Sequence, residues 1–351
     1  MKILTTIDSF KGSATSAQLN AAVITGILAK FPDIQTQNIP IADGGEGVLE
    51  VLSFQENAVQ ETVTTVDLLG RKIEVPYLML GKKAIIETAK IIGIGLAPVS
   101  SETVAKGTSF GLGKVIKTAI QKGAQTVIVS LGGTGISDGG QGFLKSLTIT
   151  DLSGVTLIGA SDVTTVYYGT KGAATVFAAQ KGATKQQIDD FNQRDKLFAQ
   201  EILNRQGIDL QKISGTGAAG GLGGAIVILG GQLVSGFDLI SDLLQLEAAV
   251  ASSDLILTGE GRLDAQSAQG KVVSGVAKLA KKHGKPCVAL VGSRSLELGE
   301  LEQSLTAVFS IQVGPTSLDS AIQTDNTLHN IALTAQNVVS LWHDHGKKRG
   351  V

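Results

Sequence analysis

The chain has 351 residues, 30 Lys plus Arg against 31 Asp plus Glu for a formal net charge of -1, and 44 glycines beside 4% aromatics. That length has room for two domains and for cores that need no disulfide or metal staple. The charge balance lacks the basic excess that nucleic-acid binding by counterion release requires, and the low aromatic content argues against base-stacking platforms.

The chain opens with a buried strand, Lys2 to Ile7, that ends at Asp8. This apolar run is too brief for a secretory signal. Leu19, Val23, Ile27 and Phe31 then mark one face of a helix, and Thr15 with Gln18 supplies a capping box. Between strand and helix lies D-S-F-K-G-S, Asp8 to Ser13, with a carboxylate, hydroxyls, a lysine and a glycine. Such a loop can hold a phosphate on backbone N–H groups and an ammonium, or can be a βα turn capped by Asp8.

A second strand is expected around Gln37 to Ala42, ending at D-G-G-E-G, Asp43 to Gly47, before a helix from Val48 to Phe54. The region from Glu61 to Thr108 changes character, with a strand pair at Thr62–Val66 and Lys72–Leu80 and a short strand at Ala84–Glu87. It continues through a helix, Gly111 to Gln121, into a strand at Thr126 to Leu131 and the loop G-G-T-G-I-S-D-G-G-Q-G, Gly132 to Gly142. The pattern D-G-G-x-G thus occurs twice, each time between strand and helix, where paired glycines admit a close ligand and Asp43 or Asp138 points at a hydroxyl, a metal or the helix start.

Asp162 ends the next apolar run, and Lys181 beside Gly182 is either an anion-holding cation or solvated surface. Gly215, Gly217 and Gly220 form a G-x-G-x-x-G that no convincing strand precedes. A ligand wall or a helix-packing surface fits it better than a dinucleotide fingerprint. The most apolar segment, Ala225 to Val234, is broken by Gly230 and Gly231 and falls short of the ~18 residues that a spanning helix needs.

From Asp254 the pattern is plain α/β alternation, with strands at Leu255–Thr258, Cys287–Val291 and Ala307–Ile311. The single cysteine, Cys287, reads as a buried strand thiol in a reducing compartment. A final helix aligns Leu328, Ile331, Ala335, Val338 and Trp342, with His343 and His345 in an exposed tail. The densest charge lies in Asp254 to Lys271, where an apolar strand meets a turn carrying Glu260, Arg262, Asp264, Ser267 and Lys271 before another helix. Strand ends of this kind are where open α/β sheets bind ligands. The expected architecture is α/β, with a discontinuous Rossmann-like parallel-sheet domain (1–60 and 240–351), an inserted α/β domain (61–239) and an active-site cleft between them.

Read together, these loops resemble the type 1 glycerate kinase family. The matching pieces are D-S-F-K-G-S at Asp8, I-A-D-G-G-E-G at Ile41, T-S-F-G-L-G at Thr108, the Gly132 loop, S-D-V-T at Ser161, Q-K-G-A at Gln180, G-A-A-G-G-L-G at Gly217 and T-G-E-G-R-L-D-A-Q-S-A-Q-G-K at Thr258. Their order runs almost end to end. The chain departs from the family pattern at Ser137, at Thr165-Val166 and at Ala178-Ala179.

The resemblance implies phosphorylation of D-glycerate from ATP with Mg²⁺, generally giving 2-phosphoglycerate; charge, composition and the short apolar runs add the expectation of a cytoplasmic monomer or homodimer with no nucleic-acid or membrane partner. For such a reaction, Lys11 and Lys271 are expected on phosphates and Arg262, planar and bidentate, on the substrate carboxylate or the transferring phosphoryl group. Asp43 or Asp162 would address the hydroxyl. Asp8, Ser9, Gly132, Gly133, Lys181, Gly217, Gly220 and Ser267 are further nucleotide-site candidates, and Asp138, Glu260 and Asp264, with Asp8, are candidates for Mg²⁺. A metabolite sensor on the same fold, or a nicotinamide-dependent oxidoreductase using the Gly215 stretch, are the alternative readings.

Overall fold

The structure is a computed structural model and describes residues 1–264 and 272–348. The chain divides into two compact units, Met1–Asp43 with Ile240–Val351, and Gly44–Leu239. The first unit opens with β1 (Lys2–Ile7) and β2 (Gln35–Asn38). The second contains β3 (Ala58–Val66), β4 (Lys72–Leu80), β5 (Lys83–Glu87), β6 (Thr126–Ser130), β7 (Thr156–Ala160) and β8 (Gln232–Val234). The first unit resumes with β9 (Leu255–Gly259), β10 (Arg262–Leu263), β11 (Cys287–Val291), β12 (Ser293–Arg294) and β13 (Ala307–Ser310).

In the first unit, five parallel strands run in the order β13-β11-β9-β1-β2. This is a doubly wound order that reverses between β1 and β9, and such sheets bind ligands outside the carboxyl ends of the strands at the reversal. Period-two alternation puts Ile3, Ile7, Leu255, Leu257, Val288 and Leu290 on one face, against Leu19, Val23 and Ile27 of helix Ser16–Lys30 and Ile331, Ala335 and Val338 of helix Thr324–Lys348. Thr15 and Gln18 form the expected capping box. Trp342, expected on the buried stripe, is 38% exposed, and His343 stacks on Phe31 with ring centroids 5.1 Å apart. Burial pushes the Cys287 thiol up to about 12, so it is an unreactive packing group.

β2 starts earlier than the pattern suggests and stops at Asn38, because it is the polar edge strand and the apolar pair Ile41 and Ala42 is buried beyond it. The Ser16 hydroxyl donates to the Ile7 carbonyl at 2.5 Å and accepts from the Ile41 N–H at 2.8 Å. That bridge ties the approach to Asp43 to the end of β1.

The second unit has a six-stranded sheet in the order β3-β4-β5-β6-β7-β8. β3, β4 and β5 are antiparallel neighbours, and β5 to β8 run parallel. Helix Val48–Ser53 packs on β3, β4 and β5, so residues 44–60 belong with this unit and not, as patterned from sequence, with the first. The core gathers Val75, Tyr77, Ile86, Val115, Val127 and Phe143. A second cluster forms around Tyr167, Ala199, Ile202 and Leu210, where helix Lys185–Gln206 seats its sparse apolar stripe.

Candidate active site

At the sheet reversal of the first unit, the chain leaves β1 through Asp8 and β9 through Glu260. The Asp8 N–H donates to the Gly259 carbonyl at 2.9 Å, stitching the two strand ends together. The Ser9 N–H donates to the Asp8 carboxylate at 2.7 Å. Burial, and next to it the charge of Asp43, push the Asp8 carboxyl up to about 8; Glu260 adds in the same direction against the opposing Ser9 hydrogen bond. Three carboxylates from distant parts of the chain therefore share one field. Such crowding marks functional sites more often than scaffolding.

Lys11 is exposed on the tight turn closed by Phe10 N–H donating to Ala14 O at 2.9 Å. Beyond Glu260, β10 pairs with β12 and carries Arg262 at the surface, its Nε 3.7 Å from Asp264 Oδ2. An exposed pair of this kind is worth roughly 0–1 kcal/mol and leaves the guanidinium able to turn to an incoming carboxylate or phosphate. Ser267 and Lys271, both candidates from the sequence, lie outside the described residues.

In the second unit the candidates hold backbone. Asp138 accepts from Ser109 N–H at 2.8 Å, Ser109 Oγ at 2.7 Å, Gly140 N–H at 3.0 Å and Gly142 N–H at 3.1 Å. Asp162 accepts from Gly236 N–H at 2.9 Å and Phe237 N–H at 3.1 Å, which starts helix Gly236–Leu243. Gly132 is packed so closely that a Cβ there would stand 2.7 Å from the Gly45 Cα, and Gly133 has a φ of +64°. Ser130 Oγ donates to the Gly44 carbonyl at 2.6 Å, so the first D-G-G loop is bound to the strand that precedes the second.

Lys181 is a correction to the sequence reading. It is 4% exposed, and its ammonium donates to the Ile136 carbonyl at 2.5 Å and lies 3.4 Å from Thr134 Oγ1. It is not solvated surface, and its ammonium is engaged with the chain's own backbone. Gly217 and Gly220 likewise face protein: Cβ atoms there would meet Val166 O at 2.2 Å and Ile136 O at 2.3 Å. The G-x-G-x-x-G is thus a packing surface, in line with the absence of a strand leading into it.

Sequence reasoning missed Glu87, Tyr167, Arg194 and Asp195. Glu87 ends β5 buried and accepts from the Leu49 N–H at 3.3 Å; burial raises its pKa. Tyr167 Oη donates to the Gly139 carbonyl, and Arg194 donates to the Ser137 carbonyl at 2.6 Å and to Asp195 Oδ1 at 2.7 Å. Burial pushes Asp195 up to about 6 even against the neighbouring guanidinium. Thr184 and Gln187, a capping box, and Gly207 in the left-handed region at the far end bound helix Lys185–Gln206, and these were the available signals.

The chain thus joins a doubly wound parallel sheet, with charged loops at its strand ends, to a mixed α/β sheet whose strands run in sequence order. The sequence profile of the Glycerate kinase family matches residues 3–152 and 149–343. The chain belongs to the glycerate kinase family, phosphotransferases with an alcohol group as acceptor. It is 31% identical to the glycerate 2-kinase of Escherichia coli K12, with 97% of each chain covered. It is 33% identical to a glycerate kinase of Halalkalibacterium halodurans, covering 96% of this chain and 97% of that one. A solved structure assigned as glycerate kinase 2 of Salmonella typhimurium LT2 superposes with a TM-score of 0.84 over 99% of both chains at 31% identity. Among the described residues, no helix is long and apolar enough to cross a membrane.

Proposed function

We propose that the chain transfers the γ-phosphoryl group of ATP to the 2-hydroxyl of D-glycerate, giving 2-phosphoglycerate and ADP. The observation that carries this reading is the cluster of Asp8, Asp43 and Glu260 at the strand reversal of the first unit. In the reaction, a bond forms between the substrate oxygen and phosphorus as the bond from phosphorus to the ADP oxygen breaks. The hydroxyl proton must leave, and a positioned carboxylate taking it contributes roughly 10²–10⁴-fold.

We assign that proton to Asp43. Burial and the charge of Asp43 push the Asp8 carboxyl up to about 8, so Asp8 and Asp43 lie in one field at the strand ends. Asp162, the other candidate, is occupied in starting a helix. Arg262, exposed and, among the described residues, in a surface pair with Asp264, suits the planar carboxylate of the substrate or the transferring phosphoryl group. Lys11, and Lys271 from the sequence, are assigned to the phosphates.

The donor set also fits Mg²⁺. No three His, Cys, Asp or Glu residues among the described ones are grouped to cage an ion. Mg²⁺ in nucleotide enzymes typically keeps waters and takes one or two carboxylates beside the phosphates, so a cage is not required. Glu260 and Asp264, oxygen donors on one loop of the first unit, are assigned to it. When bound, the ion supplies neutralisation of charge on the phosphate oxygens. Asp138, with four hydrogen bonds already accepted, is assigned to the loop and not to the metal.

The test is ADP release from Mg-ATP with and without D-glycerate, followed by phosphorus NMR of the product. Glycerate-dependent release with phosphate on C2 supports the full reading, and phosphate on C3 moves the reacting hydroxyl. Binding of glycerate or ATP without release would replace the kinase by a sensor.

A further inference from the structure

Lys181 is a buried lysine that the proposed reaction does not use. It belongs to the short helix Ala179–Lys181, which turns its side chain inward beneath the loop Gly132–Gly142. Three carbonyls of that loop each accept from a side chain of the same unit: Ile136 from Lys181, Ser137 from Arg194, and Gly139 from Tyr167. A planar trans peptide points its C=O and the following N–H in opposite directions. Anchoring the Ile136, Ser137 and Gly139 carbonyls therefore turns the N–H groups of Ser137, Asp138 and Gly140 away from the anchors. The Gly140 N–H is taken up by Asp138 Oδ1 at 3.0 Å, and Gly139 N–H donates to Gly220 O at 3.0 Å, so both ends of the D-G-G turn are pinned as well.

We propose that Lys181 is a positioning residue for phosphoryl transfer, which holds the Gly132–Gly142 loop in its working conformation by anchoring Ile136 and never touches nucleotide or substrate. This rests on the reading of the chain as a glycerate kinase that uses this loop. The chemistry favours lysine at this place. An ammonium has three donors on a flexible stem, and here it reaches Ile136 O and Thr134 Oγ1 from one buried position. Burying it disfavours the charge and lowers the pKa to about 8, while Asp138, on the loop it braces, favours the charge. An apolar residue of equal length would remove that cost, but it would leave the Ile136 carbonyl buried with no donor from this side.

The test compares Lys181→Met and Lys181→Arg with the wild-type chain in two measurements. The first is hydrogen exchange followed by mass spectrometry on peptides covering 132–142. Lys181→Met is expected to raise exchange there with peptides of the first unit unchanged, and Lys181→Arg to restore protection at least in part. The second is steady-state kinetics per folded molecule. Loss of positioning one step removed from the chemistry predicts kcat lower by about 10–100-fold with KM for Mg-ATP within about threefold. Unchanged exchange at 132–142 overturns the proposal whatever the activity. A rise in KM for Mg-ATP at constant kcat overturns it too, because that is the mark of a phosphate ligand. A lower melting temperature with unchanged kcat assigns Lys181 to stability alone, which also overturns it. If Lys181→Met does not fold, Lys181→Gln, which keeps a donor, is read by the same criteria. A wild-type chain with no glycerate-dependent ADP release would sink the kinase reading, while the exchange result would still decide whether Lys181 holds the loop.

Discussion

At the carboxyl edge of the first unit's sheet, Asp8 stands in the field of Asp43 and Glu260 and is pushed up to about 8. At the corresponding edge of the second unit, Asp138 accepts from Ser109, Gly140 and Gly142, while Lys181 and Arg194 hold the carbonyls of Ile136 and Ser137. Both edges concentrate charge, but in the second each group is matched to a backbone partner, and in the first like charges are brought together. Matching charge to backbone fixes a conformation. Crowding like charges raises the pKa of a carboxyl, here that of Asp8.

Breaking the second edge is expected to move stability most. Asp138→Ala removes the acceptor of four hydrogen bonds and strands their donors, for a loss of about 2–4 kcal/mol. Urea unfolding measures it, and a midpoint equal to wild type would mean that the loop does not depend on Asp138. A smaller loss, about 1–3 kcal/mol, is expected for Gly132→Ala, because the new Cβ meets Gly45 backbone that cannot rotate aside as a side chain would. Thermal melting checks this, with Gly123→Ala, which has open space but a φ of +96°, separating strain from clash.

The effect on stability at the first edge depends on pH and carries a sign. Asp8 has a folded pKa above its ordinary 3.8, so the fold binds that proton more tightly than the unfolded chain does. Its contribution is fully present below about 4 and is lost as pH rises through about 8. Asp8→Asn does not titrate. Its melting temperature, relative to wild type, is expected to rise across that window and then level off. A relative fall across the same window would mean that Asp8 is held ionised.

Much of the fold was legible because its signals are local. β9 and β11 are continuous apolar runs, helix Gly111–Gln121 shows its buried stripe at Val115, Ile116 and Ala119, and Thr15 with Gln18 spells a cap. Helix Lys185–Gln206 escaped notice because it buries little besides Ala199, Ile202 and the charged Asp195, so its periodicity is faint. The site was legible as a set of loops but not as a division of labour. Asp8, Asp43 and Glu260 meet only through strand order, and nothing in the letters distinguishes Asp43 from Asp138, each followed by two glycines. The letters left Lys181 open between an anion-holding cation and solvated surface, and only the fold shows that it is enclosed.

The proposed proton transfer turns on Asp43, so the most direct measurement is kcat for glycerate-dependent ADP release by Asp43→Asn and Asp162→Asn side by side. The predicted result is a loss of about 10²–10⁴-fold for Asp43→Asn, the range for a general base, with Asp162→Asn within about tenfold of wild type. A near wild-type Asp43→Asn beside a severely impaired Asp162→Asn would contradict it, and would move the proton-accepting step to Asp162.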